Sequence, residues 1–350
     1  MRAHPVSAPS LGGEGRAPES APVRSWWRWL SWLPGPLLLL TLIAVVIRLG
    51  EVERLLLLVR RSQPLWLVAA ALLQAATYCS AAAVWQRVLR RAGAHQPLVA
   101  LASLAMARLF LDQILPSGGL GGRLFVVRAL RRRGVRVPVA VAAILVDLIT
   151  VYAAFSTAAL VALVILWRLR DLNKAILTVA SLFSLMATAI PLTALWLSRG
   201  GGAPRWILRA PRVRELLEQI HRAPRRLVRD RTVLSQCAAL QLTIFLLDSA
   251  TLWIMLRAVG WPTGPVEAFA SFVIASVAAT VILTPGGLGT FETACVAMLT
   301  LFRVPVEAAL AATLLLRGFT YWLPMLPGLW WTRREIRAEN ADGGRAPAKG

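Results

Sequence analysis

The stretch LTPGGLGTFE, residues 283–292, ends an apolar run with a Pro/Gly break and follows the break with an acid. It has a counterpart in LPSGGLGGR, residues 115–123. The two GGLG cores lie 168 residues apart in a chain of 350. Proline lacks the N–H a helix needs, and glycine pays a large backbone entropy to stay helical. Two such breaks at matching places, each flanked by apolar runs, predict broken helices inside a membrane with a site between them.

Composition supports a membrane setting. The chain is 57% hydrophobic and only 16% charged, yet its net charge is +22. Mean hydropathy is +0.62. The charges fall in clusters that separate long apolar runs, the pattern of a polytopic membrane protein. The high pI does not indicate a nucleic-acid partner, because no soluble segment is long enough to fold around one. Basic loops beside spans follow from positive-inside topology and attraction to anionic lipid. Cys79, Cys237 and Cys295 lack CxxC spacing, and His4, His95 and His221 form no ligand cluster, so neither metal nor cofactor is expected.

Taken in order, residues 1–25 read as a disordered cytoplasmic tail, followed by an interfacial cluster of Trp26, Trp27, Trp29 and Trp32. Full spans are expected at about 33–47, 65–88, 137–167, 175–197, 233–256 and 306–330. Two hairpins interrupt them: 98–115 with 122–130, and 266–283 with 290–302. Residues 199–232 carry ten arginines against three acids. They read either as a basic amphipathic helix on the cytoplasmic leaflet or as a solvated stop between spans. The membrane domain covers 26–332, and 333–350 form a second cytoplasmic tail. Pro324 and Pro327 predict a kink in the last span.

An internal repeat joins these segments. Shifted by 168, residues 101–121 align without gaps on 269–289, matching Gly118, Gly119 and Gly121 to Gly286, Gly287 and Gly289. Trp85 matches Trp253, and Pro97 matches Pro265. Repeat 1 covers about 65–167 and repeat 2 about 233–331. With both termini cytoplasmic, counting spans places Arg90, Arg131–Arg133, the 199–232 segment and Arg333 on the inner side. The first hairpin then enters from inside and the second from outside, an inverted-topology repeat. Loop sidedness is unchanged if each hairpin is instead two full spans. The expected fold is all-α, with about six full spans and two re-entrant hairpins.

Seven ionisable residues fall inside apolar segments: Arg108, Asp112, Arg123, Asp147, Asp248, Glu292 and Arg317. Charges at such depth face a bundle interior or a wet cavity. Arg108 and Asp112, four apart, suit a pair along one helix. Arg123 with Glu292, and Asp147 with Arg317, suit structural pairs between the repeats. Asp248 has no evident partner and suits a cavity wall. An anionic headgroup would take phosphate on Arg108, Arg123 and Arg317, with the acids orienting them. The breaks at Pro116, Gly118, Gly119, Gly121, Pro285, Gly286, Gly287 and Gly289 would offer backbone N–H groups at helix starts. Tyr78, Tyr321 and Trp322 read as packing or interface residues. No nucleophile–base arrangement is apparent, because no His lies in an apolar segment near Ser117.

TPGGLGTFE at 284–292, with RVPVEAALAATLLLRGFTYWLP at 303–324, resembles the C-terminal signature of the lysylphosphatidylglycerol synthase transmembrane-region family of flippase-like membrane proteins. LFLDQILPSGGLGGRLFVVRAL at 109–130 resembles its first motif. The resemblance covers roughly 35–332. It implies a bacterial inner-membrane domain that moves a headgroup-bearing lipid between leaflets. Fused members carry a separate soluble domain for aminoacyl transfer from charged tRNA; this sequence shows none, so synthase activity is not carried over. By resemblance, Pro285, Gly286, Gly287, Gly289, Glu292 and Arg317 map onto the second motif, and Pro116, Gly121 and Arg123 onto the first. Gly118 and Gly119 depart from the family, which often has a more polar residue after the proline. The leading expectation is a flippase for a phosphate-headgroup lipid, phospholipid or polyprenyl-linked, with anionic lipid at the basic loop. The alternatives are a membrane enzyme or accessory subunit of a lipid or glycoconjugate biosynthesis enzyme, and a non-transporting scaffold.

Overall fold

A computed structural model describes residues 64–114, 120–168, 178, 224–281 and 289–343. The spans expected at 33–47 and 175–197, the N-terminal tail and most of the basic segment lie outside them. So do Pro116, Gly118, Gly119, Pro285, Gly286 and Gly287. The described elements are all helical. α1 covers Pro64–Arg91, α2 Leu98–Ile114, α3 Leu120–Arg132 and α4 Val137–Arg168. A short α5, Arg225–Arg229, leads into α6, Arg231–Ala258. Then follow α7 Pro265–Val281, α8 Thr290–Leu301, α9 Val306–Arg317, a π-helical segment Gly318–Trp322 and α10 Leu323–Gly343.

Among the described residues, four stretches are long and apolar enough to cross a bilayer: Leu65–Arg91, Val137–Arg168, Arg231–Ala258 and Val306–Arg337. Their outward faces carry exposed Leu72, Leu160, Val164, Leu246 and Leu326. An apolar exterior of this kind suits lipid as solvent. The protein is an all-α, multi-span membrane protein. α1, α3 and α6 exceed the expected bounds by two or three residues at an end, because terminal arginines stay helical; α2, α7 and α8 end one or two residues earlier than expected. The last helix continues beyond residue 332, where a tail was expected. Good helix formers such as Arg, Glu and Ala extend it, and Glu335 is bonded to Arg132, the last residue of α3, and to Arg133 just after it.

Element lengths repeat. α1 and α6 have 28 residues each, and α2 and α7 have 17 each. α3 and α8 have 13 and 12. The spans from Val137 and from Val306 both run 32 residues. Packing partners repeat as well. α1 packs on α2, as α6 does on α7; α2 packs on α3, as α7 does on α8; α2 packs on α10, as α7 does on α4. Small residues permit these close approaches. A Cβ on Gly328 would lie 2.7 Å from the Met106 carbonyl oxygen, so only glycine lets α10 lie this close to α2.

α1 and α6 pair along their lengths and run antiparallel. Arg91 meets Asp230 at 2.9 Å, the Cys237 thiol points at the Val84 carbonyl at 3.6 Å, and Gln74 meets Asp248 at 3.0 Å. Numbering falls along one helix as it rises along the other.

Two apolar cores sit at opposite ends of these spans. One joins Trp85, Val88 and Leu89 of α1 to Leu104, Leu130, Val139, Ile144 and Cys237, so it gathers α2, α3 and the start of α4. The other joins Ala70 to Phe155, Ala162, Leu252, Val273, Leu299 and Leu316, so it gathers α7, α8, α9 and the end of α4. Each Gly/Pro-interrupted hairpin packs into its own core. Gln74 and Thr77 on α1, Thr150 on α4, and Gln241 and Asp248 on α6 fall between the two in sequence order.

Candidate functional site

Among the described residues, the ionisable groups within the apolar segments fall into two ion-pair clusters and one network of uncharged donors around Asp248. In the first cluster, Arg108 of α2 holds Asp147 of α4 at 2.8 Å through Nη1 and Asp112 at 3.3 Å through Nε. Gln241 of α6 donates to the other oxygen of Asp147 at 3.0 Å. The Arg108 guanidinium lies 5.7 Å from the Trp85 ring centre. Arg123, on α3, interacts electrostatically with Arg108, Asp112 and Asp147. Two arginines and two aspartates thus nearly neutralise one another out of bulk water; Asp147 is only 5% exposed.

Asp112 has a second task. Its Oδ1 accepts the Gly122 N–H at 3.2 Å, so α2 caps the start of α3. A Cβ on Gly122 would run into that carboxylate and lie 2.9 Å from the Arg108 carbonyl oxygen. The sequence LGGR therefore starts a helix only because glycine admits the aspartate.

In the second cluster, Arg317 of α9 donates through Nε to Glu292 Oε1 at 2.7 Å. Glu292 Oε2 accepts the Gly289 N–H, also at 2.7 Å. Gly289 has φ of +80°, a conformation that L side chains resist. The guanidinium stacks 4.5 Å from the Phe291 ring and 5.1 Å from the Tyr321 ring. Arg317 adjoins the π-helical segment, where the Leu323 N–H reaches back five residues to the Gly318 carbonyl. Pro324 follows and has no N–H to return the chain to α register at once. Such π segments recur at functional sites.

The expected pairing of Arg108 with Asp112 is present. The pairs suggested between the repeats are not what Glu292 and Asp147 make. Glu292 pairs with Arg317 and Asp147 with Arg108, each inside its own half. The reason is local. α8 and α9 are joined by four residues, so the start of one returns to the end of the other. Asp248 is also corrected: it accepts from Gln74 Nε2 at 3.0 Å and from Thr77 Oγ1 at 3.3 Å. Tyr321 does more than pack, since it stacks on Arg317. The helix-start amides of Gly122 and Gly289 are not open to an anion, because carboxylates already accept from them.

A separate groove of about 310 Å³ opens at the α5–α6 junction, lined by Arg91, Arg136, Arg226 and Asp230 among others. Leu227 and Val228 anchor α5 in the first core and leave Arg226 and Arg229 outward. Asp230 caps α6 by accepting the Thr232 and Val233 N–H groups. Those backbone bonds, then Arg91, hold its carboxyl below the usual aspartate range. Among the described residues no group of His, Cys, Asp and Glu could hold a metal ion.

The long apolar helices, lipid-facing leucines and internally paired charges define a multi-pass plasma-membrane protein with a polar interior. Residues 32–328 match the family described as lysylphosphatidylglycerol synthase TM region. The chain belongs to that family, and the part it matches is the non-catalytic membrane region. No curated protein matches it.

Proposed function

We propose that the protein moves a phosphate-headgroup lipid between the leaflets of the membrane. The observation that carries the reading is the pair of partly buried arginine–carboxylate clusters, one behind each interrupted hairpin, in a member of this family. Each cluster has the parts a phosphate needs: guanidinium donors and a helix N-terminus. In the resting arrangement Asp112 and Glu292 occupy those donors. An arriving phosphate exchanges with them at Arg108, Arg123 or Arg317, while the acyl chains stay in lipid.

Three features support an inverted arrangement of the halves. α1 and α6, equivalent in the repeat, run antiparallel. The two hairpins pack at opposite ends of the spans. α3 and α8 are about 20 and 18 Å long, short of the ~30 Å hydrocarbon core, which favours re-entrance. Sidedness is supported too. Arg132 and Arg133 meet Glu335, and Arg91 meets Asp230, so segments assigned to the cytoplasm contact one another. The groove of Arg91, Arg136 and Arg226 then faces the inner leaflet and suits its anionic lipids.

The test is leaflet exchange of a fluorescent phospholipid in proteoliposomes of the purified protein. Wild type exchanges lipid, and Arg123→Ala and Glu292→Gln each lose most of the rate. Exchange that neither variant alters removes the site from these residues. Turnover of the headgroup by the protein alone makes it an enzyme instead.

A further inference from the structure

Asp248 differs from the other intramembrane acids. Asp112 and Asp147 face Arg108, and Glu292 faces Arg317. The hydrogen-bond donors to Asp248 are both neutral: Gln74 Nε2 at 3.0 Å and Thr77 Oγ1 at 3.3 Å. Its depth follows from the α1–α6 pair. The Arg91–Asp230 bond fixes one end of both helices. Gln74 and Asp248 lie 17 and 18 residues from it, which is about 26 Å along either axis. Each helix is about 42 Å long. However a ~30 Å core is placed along it, Asp248 stays inside that core.

Proton counting sharpens the contrast. The Thr77 hydroxyl has one proton and two acceptors in reach, Leu73 O at 3.2 Å and Asp248 Oδ1 at 3.3 Å. The Gln74 amide divides its N–H groups between Asp248 Oδ1 and Thr251 Oγ1 at 3.2 Å. Thr251 gives its own proton to Leu247 O at 2.9 Å. Among the described residues, at most two protons therefore point at Asp248, both toward Oδ1, whereas an ionised carboxylate offers about four acceptor sites. A protonated Asp248 completes the network. Its O–H donates to Thr77 Oγ1, and Thr77 turns its proton to Leu73. The network leaves fewer acceptor sites of the neutral acid unmet than of the anion.

Among the described residues, other charged groups do not supply a counter-ion. Against α1 and α6 pack α2 with Arg108 and Asp112, α4 with Asp147 and Tyr152, α5 with Arg226 and Arg229, α7 with Glu267, α9 with Glu307 and Arg317, and the π segment with Tyr321. Arg108 and Arg317 are engaged by the two clusters. The titratable group that interacts with Asp248 is Tyr78, on α1. A metal cation is a poor fit, because it needs several oxygen ligands and the Gln74 N–H points at the site.

We propose that Asp248 is a proton-coupling carboxyl: it takes a proton from water on one side of the bilayer and releases it to the other as the halves alternate. The proposal rests on the transport reading and names its energy source. The proton is bound and released unchanged, so no other reactant is required. Asp248 sits where α1 and α6, the equivalent helices of the two halves, meet between the cores, so its charge state acts on the contact that alternation must break.

Two measurements test it on the full-length protein. In proteoliposomes, a one-unit pH gradient drives leaflet asymmetry of a fluorescent phospholipid by up to ~10-fold for one proton per lipid. Asp248→Asn abolishes that asymmetry and Asp248→Glu restores it. A protonated-carboxyl infrared band, titrated from acid to alkaline pH, is present in wild type and missing in Asp248→Asn. The proposal is overturned if Asp248→Asn keeps the asymmetry, if a sodium gradient replaces the pH gradient, or if the two infrared titrations coincide. A titrating band in a wild type that moves no lipid refutes transport and coupling together, and leaves Asp248 only as a proton-binding residue.

Discussion

At the residue scale, Arg317 is held by a carboxylate on one side and two aromatic rings on others. Removing one partner of a buried ion pair leaves a charge stranded, which costs about 3–5 kcal/mol, whereas removing both is far milder. Arg317 and Glu292 are partly buried, so Glu292→Gln destabilises the protein by less than that, and Glu292→Gln with Arg317→Met recovers much of the loss. Denaturant unfolding in detergent, read as a double-mutant cycle, checks this; additive losses would mean that the two groups do not interact. The seven charges were legible in the sequence because an ionised residue stands out in an apolar run. Their neutral partners were not. Gln74, Thr77 and Gln241 carry no charge, and they reach acids 94 to 174 residues away. Pairings failed for a related reason: similar positions in two repeats suggest symmetry, but a four-residue turn decides which groups meet.

At the element scale, the helices read correctly from their apolar runs, and their ends did not. Terminal arginines extend α1, α3 and α6 because their side chains reach water while the backbone stays helical. The π segment left no mark beyond Pro324, since its cause lies in the packing around Arg317. The α6 start gives a pH test. The Asp230 carboxyl is lower in the folded protein than its free value, so its contribution is complete above the free aspartate range, near ~3.9. It is lost as pH falls through the lower folded value. Wild type is therefore more thermostable than Asp230→Asn at neutral pH, and the difference in melting temperature vanishes in strong acid. A difference that persists there would show that the cap acts without its charge.

At the scale of the molecule, the two GGLG cores point to a duplication, and charge parity points to an inverted sense for it. The division into two apolar cores was not, because which leucines cluster depends on helix rotation that periodicity in a fully apolar span leaves open. Opposed hairpins predict opposed access. Single cysteines at Ser117 and Thr290, on a background without Cys79, Cys237 and Cys295, label with a membrane-impermeant reagent from opposite faces of oriented vesicles. Labelling of both from the same face refutes the inverted arrangement. The placement of Gln74, Thr77, Thr150, Gln241 and Asp248 between the cores has a mechanical consequence. Apolar packing resists deformation through many small contacts, while a layer of hydrogen bonds can exchange partners or admit water at little cost. The middle of the protein is thus its least cohesive plane. Stress applied at either surface concentrates there, and a cleft that opens does so onto polar groups, leaving both greasy ends intact as rigid bodies.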